Sequence, residues 1–239
     1  MMNIPKRLGH IWIGPKTPPS NWMQSWANKH PQWHYHLYDN AYLRDGNFRT
    51  RKQIDEYMKR GWYAGAADLL RYEILYKNGG YLAEADSICL HPVDELMLDG
   101  GTLYTVYENE FVRGRLVSPI IAATVGNAFL DALLDRLAAV PVSELDHPWK
   151  QTGNLFVAQL IEELRPEIVI WPSHTLIPEH YTGVRYSGDG KVYARQLFGE
   201  THKAYRFSSP LGRLMEMRKK FYASLARKRL RRLKRASGR

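Results

Sequence analysis

The spacing of apolar and polar positions changes several times along the first ninety residues, and each change predicts an element. Arg7 to Ile13 alternates and then turns apolar, the pattern of a buried strand, and Gly14-Pro15 with Pro18-Pro19 ends it. Ser20 stands where an N-cap belongs, for a helix closing near His30-Pro31. Trp33 to Tyr38 alternates again as a second strand, closed by Asp39-Asn40. Strand, helix, strand is a βαβ opening, the usual start of a nucleotide-binding α/β domain.

Residues 51–60 read as a polar, charged helix. Residues 62–77 read as a stronger one, with Tyr63, Ala66, Ala67, Leu70, Ile74 and Leu75 in an apolar stripe at helical spacing. Asn78-Gly79-Gly80 ends it, with a glycine suited to a left-handed cap, and a strand over Tyr81 to Asp86 follows directly. Later strands are predicted at 102–107, 116–123 and 167–171, and helices near 126–139 and 154–164. The stretch 183–191 reads as a linker. From Leu211 the pattern is helical, so residues 1–210 form one α/β domain and 211–239 a basic amphipathic C-terminal helix.

The window from Asp68 to Asp86 carries the chemistry. Asp68 and Arg71 stand three apart on one helix and share a face. Glu84 and Asp86 stand two apart on the predicted strand, so both carboxylates project to one side, with the small Ala83 and Ala85 beside them. Two carboxylates near an arginine-bearing helix suit a Mg²⁺ or Mn²⁺ ion and a diphosphate: these ions favour one or two carboxylates, phosphate oxygens and water. An acidic-x-acidic triplet alone is a solvated strand end. Its arrangement with helix, glycine pair and strand in one compact unit is what gives it weight.

Ala67-Asp68-Leu69-Leu70-Arg71-Tyr72, then Asn78-Gly79-Gly80, Glu84-Ala85-Asp86 and Pro92 resemble the core of the DXD-containing sugar transferases of glycosyltransferase family 32. Ile4-Pro5-Lys6, His10-Ile11-Trp12-Ile13-Gly14, Pro18-Pro19 and Leu37-Tyr38-Asp39-Asn40 resemble the family's opening, and the likeness runs over residues 4–92. It implies a GT-A-like α/β fold with a Rossmann-like nucleotide-binding half and a mixed central sheet flanked by helices. It also implies a UDP- or GDP-sugar donor, Mn²⁺ or Mg²⁺, and retention at the anomeric carbon. By position, Trp12 stacks on the base, Asn40 lies near the nucleotide or sugar, Asp68 and Arg71 hold donor sugar and phosphate, and Asp86 is the principal metal ligand. Glu84 stands where the family has Asp, so its contact with the metal becomes direct, water-mediated or shifted to the ribose. Thr152-Gly153-Asn154 corresponds to a segment lining the acceptor side, and His202 to a ligand or phosphate contact near the C-terminus.

Composition narrows the choice. The chain is 44% hydrophobic, enough for one core in a domain of 239 residues. Its single cysteine, Cys89, excludes an internal disulfide and reads as a buried thiol. His30, His34 and His36 read as solvated histidines, since no zinc-ligand spacing follows them. P-loop, dinucleotide and nucleophile-elbow motifs are absent from the sequence, which disfavours kinase, dehydrogenase and serine hydrolase readings. The net charge of +10 is a tail property: eleven of the 34 Lys and Arg lie in 218–239, which has no Asp or Glu, leaving 23 basic against 24 acidic side chains elsewhere. Such a tail suits an anionic membrane surface, and so a cytoplasmic enzyme peripheral to the inner membrane face that acts on a glycan or lipid-linked acceptor. It equally suits nucleic acid. The alternatives are therefore a nucleic-acid-binding or nucleic-acid-modifying protein, and a metal-dependent nucleotidyltransferase or phosphohydrolase.

Overall fold

The computed structural model describes residues 3–199. Its frame is a six-stranded mixed sheet. β1 (Arg7–Ile11) lies between β2 (His34–Tyr38) and β3 (Gly80–Leu82), parallel to both. The order continues through β6 (Ala122–Ala123), antiparallel to β3 and to β5 (Leu103–Val106), and ends at β7 (Val169–Trp171), parallel to β5. A second, two-stranded antiparallel sheet pairs β4 (Ser87–Cys89) with β8 (Ala194–Gln196).

Helices cover both faces. On one, α1 (Ser20–Lys29) buries Trp26 with Leu8, Tyr81 and Ala83. On the other, α3 (Arg51–Arg60), α4 (Tyr63–Asn78) and α5 (Ala128–Ala138) share a core built on Ile54, Leu70, Leu75 and Leu133. α1 joins β1 to β2, and α2 (Asn40–Asp45), α3 and α4 join β2 to β3. The connections therefore leave β1 toward opposite edges of the sheet. By this topology the ligand crevice of an α/β sheet falls at the carboxyl ends of β1 and β3, the switch point.

Local sequence explains these elements and corrects several expectations. α4 buries Leu69, Leu70, Arg71 and Tyr72 in succession, so it is a core helix and not a one-sided amphipath. It ends at Gly79 (φ +61°), and Gly80 follows at φ +106°, where an added Cβ would lie 2.5 Å from the Arg7 carbonyl oxygen. Ser20 is the first helical residue of α1 and not its cap. Asp39 does not merely close β2: its carboxylate accepts from the Ala41 and Tyr42 amides and caps α2. The strand expected over 116–123 shrinks to Ala122–Ala123 plus an isolated bridge from Val117 to Tyr107. β3 stops at Leu82, so Glu84 and Asp86 sit past its end, around the turn into β4, and lack the strand alternation expected of them. Segment 183–191 is no linker. It folds back, with a bridge between Glu179 and Arg185 and the Tyr186 ring stacked 4.2 Å from His174.

His34 and His36 are exposed, but His30 is buried, and only side-chain chemistry explains why. Its Nδ1 meets the Trp26 carbonyl (2.8 Å) and its Nε2 accepts from the Val93 amide (2.9 Å). Both nitrogens are satisfied by the neutral ring, and burial lowers its pKa further than Trp26 and Asp94 raise it. Cys89 is buried as expected, its thiol pushed up to about 12 by burial. His202 and the predicted helix 211–239 lie outside the described residues.

Candidate active site

The loop leaving β1 forms one wall of the crevice. Trp12 donates its backbone N–H to the Tyr38 carbonyl (2.9 Å) and its indole N–H to the Lys16 carbonyl (2.8 Å), which holds the half-buried ring at the crevice edge. Asn40, at the start of α2, uses its whole amide on Gly14: Oδ1 accepts from the Gly14 N–H (2.8 Å) and Nδ2 donates to the Gly14 carbonyl (3.0 Å). Asn40 thus fixes the loop that carries Trp12.

α4 and the turn after β3 form the floor. Arg71 is buried, donates Nη1 to the Leu82 carbonyl (2.7 Å) and Nη2 to Glu84 Oε1 (2.6 Å). These bonds use two of its five N–H donors. Asp68, one turn back on α4, is met by the Thr152 hydroxyl at 2.9 Å. Thr152 is itself held, its carbonyl accepting from the Tyr72 hydroxyl (2.6 Å). Gly153 follows because a Cβ there would lie 3.2 Å from Asp68 Oδ2. Asp68, Arg71 and Glu84 therefore come together as the sequence predicts.

Asp86 is placed differently. Its Oδ1 accepts from the Gln196 side-chain amide (2.5 Å), its Oδ2 from the Gly199 N–H (2.8 Å), and its carbonyl from the Leu197 N–H (2.7 Å). The chain leaving β8 thus fixes the Asp86 carboxylate. Its remaining lone pairs stay within range of a second ligand, since each carboxylate oxygen has about two. Sequence reading missed Gln196: it lies 110 residues away and meets Asp86 only through the β4–β8 ladder.

The sequence also gave no sign of a third group. Glu108, just past β5, accepts from Asn154 Nδ2 (3.0 Å), at the start of α6 (Asn154–Leu164), and meets His180 Nε2 at 3.3 Å. The only available signal was a carboxylate at the end of a wholly buried strand, Leu103–Val106.

Electrostatics match the burial. Asp68 is pushed up to about 7 by burial, against the opposing pull of Arg71 and the Thr152 hydrogen bond, with Glu84 adding to the rise. Glu84 is raised too, first by burial, then by Asp86, with Arg71 opposing. His10, fully buried on β1, is lowered to about 3 by burial and by Arg71. Its Nδ1 meets the Tyr35 hydroxyl at 3.0 Å, and its Nε2 has no partner among the described residues. A neutral ring near Arg71 leaves that guanidinium as the floor's positive charge.

Residues 19–100 match the family model described as the glycosyltransferase sugar-binding region containing a DXD motif. No curated protein matches the chain. Among solved structures it is similar to the PaToxG glycosyltransferase, at 17% identity and a TM-score of 0.53 over 67% of this chain and 70% of that one. It is also similar to the UDP-bound glycosyltransferase domain from the YGT toxin, at 10% identity and a TM-score of 0.56 over 87% of this chain and 84% of that one. At such identities these likenesses concern fold, and the fold is α/β of the GT-A type. The class defined by matched region and fold together is a glycosyltransferase. Glu84-Ala85-Asp86 lies inside the residues matched by that sugar-binding region.

Proposed function

We propose that the chain transfers a sugar from a nucleoside-diphosphate donor to an acceptor hydroxyl, with retention at the anomeric carbon. The observation that carries this is Arg71: a buried guanidinium with donors to spare, flanked by Asp68 and Glu84, at the switch point of the sheet. Glu84 pairs the Arg71 charge, and the spare N–H donors of Arg71 suit the oxygens of a diphosphate. The YGT toxin domain is UDP-bound, which favours a uridine nucleotide here.

A divalent cation fits the donor set. Among the described residues no cluster of three His, Cys, Asp or Glu side chains forms a closed protein cage. Mg²⁺ and Mn²⁺ need no such cage: one or two carboxylates suffice when phosphate and water complete the shell. Asp86 would hold the ion, with Glu84 beside it, and the ion would supply neutralisation of the leaving diphosphate's charge. Trp12 would stack on the base and Asn40 would hold the loop that presents it.

The chain's own residues account for the rest. Arg71 stabilises the diphosphate as the bond from the anomeric carbon to phosphate oxygen breaks and its electron pair leaves with the phosphate. Asp68 accepts hydrogen bonds from the sugar hydroxyls and fixes the ring. The acceptor oxygen bonds to the anomeric carbon on the same face, and its proton passes to the departing phosphate oxygen. A glycan or lipid-linked acceptor fits the tail composition, as does a position at the inner membrane face.

Asp86→Ala tests the assignment. In a thermal-shift screen of UDP- and GDP-sugars with Mn²⁺, the wild type is expected to gain stability with one donor by mass action. The variant, folded by circular dichroism, is expected to lose the Mn²⁺-dependent part of that gain and about a hundredfold in turnover. Wild-type turnover in Asp86→Ala would refute the role of Asp86.

A further inference from the structure

We infer that Glu108, aimed by His180 and Asn154, is the carboxylate that binds the acceptor hydroxyl, and that the acceptor there is a saccharide ring. The inference rests on the glycosyl-transfer reading above and adds the other half of the reaction to it.

Position comes first. Asn154, which donates to Glu108, directly follows Gly153, which packs against the Asp68 carboxylate. His180, which meets Glu108 from the other side, lies edge-on to the Phe198 ring at 6.1 Å, and Phe198 directly precedes Gly199, the residue that donates to Asp86. Glu108 is thus linked to the sugar-side carboxylate through Gly153-Asn154 and to the metal-side carboxylate through His180, Phe198 and Gly199.

Protonation comes second. The Thr182 N–H points at His180 Nδ1 (3.4 Å), and the Thr182 hydroxyl lies 2.7 Å from the same atom. Nδ1 is therefore the acceptor, which puts the ring proton on Nε2, where it donates to Glu108. His180 is wholly buried, while the Glu108 side chain keeps 15% of its surface exposed. Arg113 Nε stands 3.7 Å from the same carboxylate oxygen, beyond direct hydrogen bonding. A mostly buried carboxylate held by two side-chain donors, with Arg113 as its ion-pair partner and an opening to solvent, is oriented as an acceptor for one more O–H.

Surroundings come third. Tyr181 lies against His180, is 39% exposed, and is braced by the Arg113 guanidinium over its ring and by a hydrogen bond from Arg113 to its hydroxyl. A fixed, half-exposed aromatic ring beside a carboxylate suits a saccharide: the ring's apolar face packs on C–H groups while the carboxylate takes a hydroxyl. A purely structural pair would need neither the opening nor the exposed ring.

The test uses the full chain with Mn²⁺ and whichever of UDP-glucose, UDP-N-acetylglucosamine and GDP-mannose it turns over. Water and methyl glycosides serve as probe acceptors. Glu108→Gln keeps the shape, loses the charge and turns one of the two accepting oxygens into an N–H donor. We expect donor KM and UDP affinity to stay within about twofold, and kcat to fall about tenfold or more, the worth of a hydrogen bond to a charged group. His180→Ala should lower kcat similarly, and His180→Gln, which restores an N–H toward Glu108, should recover most of it. That rescue marks His180 as a positioning residue. Unchanged kcat in Glu108→Gln, or a loss of donor affinity instead, overturns the inference while leaving the donor-site reading in place. Absence of any methyl glycoside product from an active wild type overturns the saccharide assignment. A wild type that neither binds nor turns over a nucleotide sugar removes both readings.

Discussion

Asp68 illustrates how one half-buried residue sets its own pH dependence. Thr152 Oγ1 lies between Asp68 Oδ2 (2.9 Å) and the Pro148 carbonyl (3.1 Å). When Asp68 is ionised, the hydroxyl donates to it. When Asp68 is protonated, the carboxyl donates to the hydroxyl, which turns to Pro148. The site accommodates both states, so the raised pKa of about 7 reflects burial outweighing Arg71, and no hydrogen-bonding conflict is needed to explain it. The sign of the linkage follows. The folded chain holds this proton more tightly than the unfolded chain, whose Asp titrates near 3.8. The stability Asp68 contributes is complete below that pH and is lost as pH rises through about 7. Asp68→Asn removes the titration and keeps the shape. The melting-temperature advantage of Asp68→Asn over wild type is therefore expected to widen from about pH 4 to about pH 7 and then level off. A gap that stays constant across that range would show that Asp68 is not the buried titrating group.

At the scale of elements, the glycine pair after α4 aims the site. Gly79 turns the helix off, and Gly80 starts β3 at φ +106° with its Hα side against the Arg7 backbone. Gly80→Ala must relieve both a left-handed strain and a 2.5 Å contact with a carbonyl oxygen that cannot move independently of β1. A loss of about 2–4 kcal/mol in urea denaturation is expected, with weaker donor binding because Leu82 and Glu84 both hold Arg71. A loss below about 0.5 kcal/mol would count against this geometry. The same pair explains what the sequence made legible. Asp68, Arg71 and Glu84 were readable because they lie within seventeen consecutive residues whose helix–turn–strand geometry is set by local chemistry. Glu108 and His180 were not, because they are 72 residues apart and meet only through the parallel pairing of β5 with β7 and the segment beyond it. β4 and β8, three residues each, carry too little period to announce a ladder, so the Gln196 contact to Asp86 was unreadable as well. The resemblance placed Asn40 near the nucleotide or sugar, but its bond to the Gly14 backbone was not readable, since nothing in a sequence shows which way an amide points.

For the whole molecule, the separation of charge matters more than its total. Outside 218–239 the chain is nearly neutral, so the diphosphate binding proposed above rests on the local placement of Arg71 and not on a general positive field. No described helix is long and apolar enough to cross a membrane. The eleven basic side chains of 218–239 then constitute a separate electrostatic device, one we propose holds the enzyme at an anionic lipid surface. Each Lys or Arg near such a surface contributes about 1 kcal/mol, screened beyond a Debye length of about 8 Å at physiological salt. Deleting 218–239 is expected to abolish sedimentation with phosphatidylglycerol vesicles. Phosphatidylcholine vesicles should not bind the full chain, and raising salt to about 0.5 M should release it. The donor-dependent thermal shift of the truncated chain should match that of the full chain, because the floor residues all lie between Asp68 and Asp86. Equal sedimentation of the two chains would remove the tail from membrane binding. Salt-sensitive retention of the full chain on duplex DNA, with none on vesicles, would make nucleic acid the tail's partner.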